Sequence, residues 1–344
     1  MVPSENYILS VVDQSPMRKG GNTAEALRET VKLARAVEAF GFKRYWVAEH
    51  HSSPSFAGTS PEVLIGQIAA NTRSIRVGSG GIMLSHYSSL KVAEQFRILD
   101  AFFPNRIDLG IGRAPGSDQL TAAALAYPKR QADIQHFPQQ VVDLLGFIHG
   151  EIDGSHPFSQ IHVQPGPFPD SAPEVWLLGS STYSAQLAAQ LGLPFSFADF
   201  FGNTGDYGPT VTEIYRNEFK ASRFLSEPKV NVTFQVICAP TEEEAKLLGT
   251  SRNLNRVAWI MGLGHGLLPP EEAAVYPLSA EAQQHIASYS RGYCDGTPDQ
   301  VHDWIVERAD GYQTKDVGLV TNCYSFEARV RSYQLVAETF GLTD

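Results

Sequence analysis

Hydrophobic and polar positions along the chain follow two periods in turn, and this alternation predicts repeated units of one strand and one helix. The run at 7–12 is apolar and rich in β-branched residues, which favours a buried strand. At 23–40, apolar residues recur at spacings of three and four, Thr23 offers an N-cap and Gly41 offers a C-cap. We therefore predict that the chain begins with a strand followed by a helix.

The same order of strand and helix recurs along the rest of the chain. Further strands are predicted at 44–48, 75–79, 106–111, 174–178, 194–198, 229–239 and 316–320. Helices are predicted at 60–72, 90–103, 133–149, 182–191, 207–222, 241–261, 280–289 and 326–340, with a further helix starting in the GTPDQ sequence at 296–300.

Eight strands that alternate with helices predict an α/β fold, a (β/α)8 TIM barrel, as a single domain over residues 1–344. An open, doubly wound sheet has the same periodicity, and only the count of eight favours the closed barrel. Insertions are expected after strands 4 and 7, where the pattern loosens at 112–132 and where a Gly- and Pro-rich segment at 262–279 is the candidate lid. A Pro- and Gly-rich connection at 150–173 leads back into the regular alternation.

Charge and composition exclude several classes of function. The formal net charge is -10 and no run of five Lys or Arg residues occurs, so the basic surface of a nucleic-acid-binding protein is not expected. Three scattered cysteines without Cys-x-x-Cys spacing indicate neither a disulfide framework nor a zinc site, and they fit a reducing compartment. Neither a signal peptide nor an apolar run of about 18 residues occurs, so we expect a cytoplasmic protein without a membrane partner.

Two histidines, His50 and His51, follow Glu49 at the end of the second predicted strand. The functional residues of a barrel lie at such strand ends. Neighbouring side chains on an extended backbone point to opposite faces, so one of the two histidines is expected to face the barrel axis. A capping or hydrogen-bonded pair is the structural alternative. We predict no metal site, because no second cluster of His, Asp or Glu accompanies the pair.

Glycines, an arginine and hydroxyls follow the next three predicted strands. Gly80 and Gly81 either leave the backbone open to a flat ligand or merely turn the chain. Arg113 lies among small residues and is suited to a phosphate or to an ordinary surface salt bridge. Ser180 and Ser181 precede a predicted helix, where hydroxyls and free N–H groups favour an anion, although N-capping alone explains them equally well.

Longer motifs around these residues resemble one protein family. They are WVAEHH at 46–51, IRVGSGGIMLSHYSSLKVAEQFRILD at 75–100, RIDLGIGRAPGSD at 106–118 and WLLGSSTYSAQLAAQLGLP at 176–194. The chain resembles the bacterial luciferase-like flavin-dependent monooxygenases (LLM class flavin-dependent oxidoreductases). The resemblance implies a (β/α)8 barrel that uses reduced FMN and O2 to oxidise a small organic substrate. It also implies a homodimer packed through the helices after strands two and three.

The resemblance gives individual residues a role. His50 matches an active-site histidine beside the reactive edge of the flavin, as a proton donor or hydrogen-bond partner, with His51 supporting it. Gly80 and Gly81 match a pair that carries a non-prolyl cis peptide under the isoalloxazine ring. The other matched cofactor-binding residues are Glu94, a carboxylate near the flavin; Arg113, which contacts the flavin phosphate; and Ser180, Ser181 and Ser184, at the phosphate-binding helix start.

The chain also departs from the family pattern. Gly112 stands where luciferase has a reactive cysteine, so light emission is not expected, and the segment 321–326 differs in a way that affects substrate selection or the pocket wall. No Gly-x-Gly-x-x-Gly motif follows the first strand, so we expect a separate flavin reductase that uses NAD(P)H. Two alternatives stay open: deazaflavin-dependent hydride transfer without O2, and flavin binding without catalysis.

Overall fold

The computed structural model describes residues 7–114, 116–128, 134–205, 207–258 and 260–342. Within these ranges strands and helices alternate as the pattern predicts, with one strand and two short helices added. The strands are β1 (Ile8–Asp13), β2 (Arg44–Val47), β3 (Arg76–Met83), β4 (Ile107–Gly112), β5 (Glu174–Gly179), β6 (Phe195–Ala198), β7 (Val230–Cys238), β8 (Tyr293–Gly296) and β9 (Asp316–Val320). The helices are α1 (Thr23–Ala39), α2 (Pro61–Asn71), α3 (Ser89–Phe102), α4 (Gln119–Ala126), α5 (Phe137–His149), α6 (Thr182–Leu191), α7 (Tyr207–Glu218), α8 (Glu242–Arg256), α9 (Pro270–Ala274), α10 (Ala280–Tyr289), α11 (Pro298–Gly311) and α12 (Phe326–Thr339).

Eight of these strands close into a parallel barrel. The order around the ring is β1, β2, β3, β4, β5, β6, β7 and β9, and β9 pairs with β1, where Ile8 lies opposite Asp316. Every residue of β4, β7 and β9 is buried, because helices cover the outside of the barrel and side chains fill its inside. The predicted (β/α)8 barrel is therefore confirmed, and the open, doubly wound sheet is excluded.

Strand β8 is the element that the hydrophobic pattern misses. It has four residues, Tyr293–Gly296, and it pairs with the second half of β7 outside the ring of eight. Its Asp295 forms two hydrogen bonds of 2.7 Å with Arg252 of α8, so an ion pair between distant segments holds it in place. A strand this short, with an aspartate and a glycine in it, has no alternation from which it could be predicted.

The segments expected to be irregular contain short helices. Helix α4 lies inside 112–132, of which residues 115 and 129–132 fall outside the described residues, as does the predicted helix start at 133. The candidate lid, 262–279, contains α9, and Leu267 exchanges backbone hydrogen bonds with Met17 and Lys19 in the loop after β1. Apolar residues of the candidate lid also pack against α8 and α10. The candidate lid is thus attached both to α8 and to the first loop.

The inside of the barrel is closed by packed side chains. Val12, Trp46, Trp176 and Val320 form one cluster, and the two indole rings meet edge to face with their centroids 5.3 Å apart. Trp46 donates its indole N–H to the buried carboxylate of Asp108 at 2.8 Å. The interior below this cluster is filled, so a ligand has room only at the C-terminal ends of the strands.

No helix in the described part of the chain is both long and apolar enough to cross a bilayer.

Candidate active site

A cavity of about 730 Å³ opens at the C-terminal ends of the barrel strands. This volume lies in the range of cofactor and small-molecule sites. Of the eight residues predicted to take part in chemistry or cofactor binding, seven line it: His50, Gly80, Gly81, Arg113, Ser180, Ser181 and Ser184. Barrel closure therefore brings together side chains that follow β2, β4 and β5 with the two glycines of β3.

His50 lies against the cavity with its ring 4.7 Å from that of Phe56. Its backbone N–H donates to the carbonyl of Gly58, whereas its Nδ1 is buried and has no hydrogen-bond partner among the described residues. Burial, with a smaller contribution from His51, lowers the pKa of His50 to about 4. The imidazole is therefore neutral at pH 7.

His51 points away from the cavity and pairs with Glu49, whose carboxylate the sequence analysis left without a role. Glu49 is buried, and its Oε1 lies 2.7 Å from His51 Nε2 and accepts from the Tyr87 hydroxyl at 2.7 Å. Its Oε2 accepts from the backbone N–H of Met83 at 2.9 Å. The expectation that one histidine faces the barrel axis is confirmed. Glu49 ties the end of β2 to the end of β3.

Gly80 and Gly81 form a flat part of the cavity wall. The peptide bond between them is cis, as the resemblance implies. A Cβ atom on Gly81 would lie 2.7 Å from the carbonyl oxygen of Gly110 and 2.7 Å from Leu178 Cδ1, so no larger residue fits. Because the pair has no side chains, the peptide itself faces the cavity.

Groups that suit an anion lie together where β5 leads into α6. Ser181 is the N-cap of α6, but its hydroxyl makes no capping hydrogen bond to the helix backbone. The guanidinium of Arg113 lies over the ring of Tyr183, 4.1 Å from its centroid, and it forms no ion pair with a carboxylate of the described residues. A cation and a helix N-terminus thus lie side by side, which is the arrangement that favours a phosphate. Buried Ser184 completes the predicted set.

Glu94 is the one predicted residue that the structure does not bring into the cavity. It lies on α3, where it forms an ion pair of 3.4 Å with Lys91, and it is partly exposed. The carboxylate that lines the cavity is Glu49. The motif match identifies Glu94 in the sequence, but Glu94 lies on a face of α3 that does not line the cavity.

Helix α8 supplies a wall that sequence reasoning misses. Arg252, Asn255 and Arg256 line the cavity, and no described residue of the candidate lid does. Arg252 is neutralised by Asp295, whereas Arg256 packs its guanidinium 4.4 Å from the centroid of the Tyr289 ring. A second cavity of about 460 Å³ adjoins the first at Arg256. In sequence these residues belong to an ordinary amphipathic helix, so nothing marks them as part of a site.

The remaining wall carries three amide side chains. Gln14 follows β1, Gln235 lies in β7 and Asn322 follows β9. Asn322 belongs to the segment 321–326, and its position confirms that this segment contributes to the pocket wall. Neither glutamine is marked by any motif.

Comparison with known proteins gives these features a context. The profile of the family described as luciferase-like monooxygenase matches residues 7–314. An N-acetyl-S-alkylcysteine monooxygenase of Bacillus subtilis (strain 168) is 36% identical over 331 residues, which cover 96% of this chain and 97% of that protein. The match therefore extends over nearly the whole length of both chains.

Two solved structures extend the comparison. The crystal structure of apo-MsnO8 has a TM-score of 0.89 at 36% identity, covering 98% of this chain and 99% of that one. The oxygenating constituent of 3,6-diketocamphane monooxygenase from Pseudomonas putida, solved in complex with FMN, has a TM-score of 0.70 at 19% identity, covering 97% of this chain and 98% of that one. At that identity the second likeness concerns the fold alone.

Proposed function

The chain belongs to the luciferase-like monooxygenase family, and we propose that it oxidises a small organic substrate with O2 and reduced FMN bound at the mouth of the barrel. When bound, reduced FMN supplies the electrons that activate O2. One observation carries the proposal: a single cavity holds an anion site, a flat glycine surface and a buried histidine whose Nδ1 lacks a partner among the described residues. These three parts fit the phosphate, the ring and the reactive edge of a flavin.

The phosphate end of the cofactor would be held by Arg113 and the start of α6. The stacking of Arg113 on Tyr183 directs the guanidinium towards the first turn of α6, whose backbone N–H groups have no acceptor within the helix. Charge-assisted hydrogen bonds from both sources favour a dianionic group over a neutral one. This combination supports a phosphate-bearing cofactor and fits FMN or a deazaflavin equally.

The ring would lie against the Gly80–Gly81 peptide, with His50 at its edge. A neutral imidazole carries one proton, so His50 is suited to donate or accept a single hydrogen bond at Nδ1 rather than to act as a cation. Glu49 positions this region because it binds the backbone of Met83, which ends the glycine-containing strand. We therefore assign His50 to the chemistry and Glu49 to its positioning.

Apolar side chains would keep water from the reacting atoms. Phe56, Leu178, Phe200 and Phe201 line the cavity between the polar subsites. Water exclusion strengthens the polar interactions inside the site and limits side reactions. In this proposal the candidate lid, 262–279, does not cover the cavity. It packs against α8 and supports this helix, which carries Arg256 in the cavity wall.

Electrons would come from a separate NAD(P)H-dependent flavin reductase, and the chain would act as a homodimer. Exposed apolar side chains lie on the two helices expected at the dimer interface: Val63 on α2, and Ile98 and Phe102 on α3. An apolar patch of this kind on a water-soluble surface favours association. The substrates to test first are N-acetyl-S-alkylcysteines, because the Bacillus relative is named for oxidising that class.

The test combines binding with product analysis. The purified protein is titrated separately with FMN, reduced FMN and a reduced deazaflavin, and the reduced-FMN complex is mixed with O2 and N-acetyl-S-methylcysteine. We expect reduced FMN to bind and one atom of isotopically labelled O2 to enter the product, detected by mass spectrometry. Binding of FMN without any substrate oxidation across a panel of thioethers, aldehydes and ketones would favour the non-catalytic alternative. Oxidation of a substrate by oxidised deazaflavin without O2, with reduced deazaflavin formed in equal amount, would favour the hydride-transfer alternative.

A further inference from the structure

Three amide side chains lie in or directly after three strands that are neighbours in the barrel. Gln235 is in β7, and its register partner in β9 is Val320. Asn322 follows Val320 by two residues, so on extended backbone these two side chains point to the same face of the sheet. Gln235, as the register partner of Val320, points to that face too. Gln14 directly follows β1, the next strand in the ring. All three side chains line the main cavity.

One donor and one acceptor of these amides are buried without a hydrogen-bond partner among the described residues. Asn322 donates from Nδ2 to Gln14 Oε1 at 2.6 Å, which turns its Oδ1 away from Gln14. Asn322 Oδ1 and Gln235 Nε2 are buried and have no hydrogen-bond partner among the described residues. Gln235 is 4% exposed and Asn322 is 5% exposed. Both residues therefore line the cavity, and each has one buried polar atom without a partner.

Polar groups deeper in the same wall are paired with each other. Ser196 and Thr233 both donate their hydroxyls to Asn231 Oδ1, at 2.7 and 3.3 Å. Asn231 in turn donates to Asp316 at 2.7 Å. Buried polar groups in proteins are nearly always satisfied, so the two unpaired atoms in the cavity wall indicate a partner that the chain itself does not provide.

We infer that Gln235 and Asn322 form a subsite for a ligand group that carries a carbonyl acceptor beside an N–H donor, which is the edge of a primary amide, a lactam or an imide. Gln235 Nε2 donates to the ligand carbonyl, and Asn322 Oδ1 accepts from the ligand N–H. An ester of the same shape keeps the first bond and leaves Asn322 without a donor. Replacing bound water by a group that cannot repeat its hydrogen bonds loses affinity, so the subsite selects amides over esters.

Two molecules present such an edge to this cavity. One is a substrate that contains a primary amide or a lactam, and the other is the pyrimidinedione edge of the flavin. The inference rests on the proposed function in that both molecules are expected in this cavity. Its test measures binding rather than oxidation, so the inference and the proposed function fail through different results.

The experiment uses a matched pair of probes, the lactam 2-piperidone and the lactone δ-valerolactone. The lactone has an oxygen in place of the N–H group, and the affinities of both are measured with the FMN-loaded oxidised protein by flavin absorbance and with apoprotein by intrinsic tryptophan fluorescence. The variants are Gln235→Met and Asn322→Leu, which remove the free donor and acceptor at similar volume. The matched control is Gln284→Met on the exposed face of α10. FMN affinity of each variant is measured in parallel.

The experiment gives different results for a substrate amide and for the flavin edge. If a substrate amide is the ligand, the wild type binds the amide at least about tenfold more tightly than the ester, and either variant removes that preference while FMN affinity stays unchanged. If the flavin edge is the ligand, each variant weakens FMN binding about tenfold, and the FMN-loaded wild type does not distinguish the probes. The inference is overturned if neither the probe preference nor FMN affinity differs between the wild type and the two variants. Should Gln235→Met fail to fold, Gln235→Glu keeps the shape while removing the donor.

Discussion

The guanidinium of Arg113 lies 4.1 Å from the ring centroid of Tyr183, and this contact places the cation beside the N-terminus of α6. Loss of a charge-assisted hydrogen bond to a phosphate costs about 1.5–3 kcal/mol. We therefore expect Arg113→Ala to weaken FMN binding by that amount in isothermal titration calorimetry. Removing the phosphate should reduce the difference, so riboflavin should bind the variant and the wild type with similar affinity.

Arg256→Ala is the matched control for Arg113→Ala. Arg256 also lines the main cavity without a carboxylate partner among the described residues, but it lies on α8 beside Tyr289. We expect this variant to bind FMN as the wild type does. If Arg256→Ala weakens FMN binding and Arg113→Ala does not, the phosphate lies in the adjoining cavity instead of at the start of α6.

Substitution of Gly81 tests the flat wall under the proposed ring. The Cβ of Gly81→Ala would overlap the Gly110 carbonyl and the Leu178 side chain, so either the backbone or Leu178 has to move. Overpacking of this kind costs about 1–3 kcal/mol. We expect that loss in urea unfolding, together with weaker FMN binding. Gly264→Ala is the control, because nothing lies within 4 Å of a Cβ at Gly264. Equal stability of the two variants would contradict the tight packing at Gly81.

The environment of His50 predicts a pH dependence of stability. Its pKa is lowered from 6.5 in the unfolded chain to about 4 in the folded protein, chiefly by burial. Between those values the unfolded chain binds a proton that the folded protein does not, so the free energy of unfolding decreases as the pH falls from 6.5 to 4. We expect His50→Gln to lack this contribution, which amounts to about 3 kcal/mol at the acidic end. Urea unfolding at a series of pH values measures the difference.

His149 provides the control for His50. Burial and the nearby Arg223 also lower its pKa to about 4, and it lies at the end of α5 outside the cavity lining. His149→Gln should change stability over the same pH range and leave turnover intact, whereas His50→Gln should reduce turnover with FMN affinity retained. Unchanged turnover in His50→Gln would remove His50 from the chemistry.

Glu49 is expected to act through the groups that it binds. Glu49→Gln keeps the shape but places an N–H₂ group against donors, so at least one of its bonds to His51, Tyr87 and Met83 is lost. We expect a loss of about 1.5–3 kcal/mol in stability. Since the same hydrogen bond is lost, a double-mutant cycle with Tyr87→Phe should give a coupling energy above about 0.5 kcal/mol. Additive effects of the two substitutions would show that the Tyr87 contact contributes nothing.

The proposed dimer is tested on α3. Phe102 is 73% exposed on a helix that the family resemblance places at the interface, and Phe102→Glu introduces a charge there. We expect sedimentation velocity to show a shift from dimer to monomer, because an unpaired charge at an apolar interface has to be desolvated. Leu120 on α4 is 82% exposed, and Leu120→Glu should leave the dimer intact. A wild-type protein that sediments as a monomer would contradict the proposed dimer.

Local patterns along the chain are enough to predict the eight barrel strands and most of the helices between them. Burial of one face of an element depends on residues that are neighbours in sequence, so its period is visible without the fold. The same reasoning places His50, Arg113 and Ser181 at the mouth of the barrel, because each directly follows a predicted strand. Residues at strand ends share one edge of the barrel whichever strands are neighbours.

The other features of the fold and of the site depend on contacts between segments that are distant in sequence. Asp295 holds β8 against α8 through its hydrogen bonds to Arg252. Glu94 lies outside the cavity because it occupies a different face of α3, where it pairs with Lys91. Gln14 and Asn322 lie at opposite ends of the chain and form a hydrogen bond because closure of the ring makes β1 and β9 neighbours. Whether a buried amide has a partner depends on the atoms around it in the folded chain, so the polar wall of the cavity appears only once the barrel is closed.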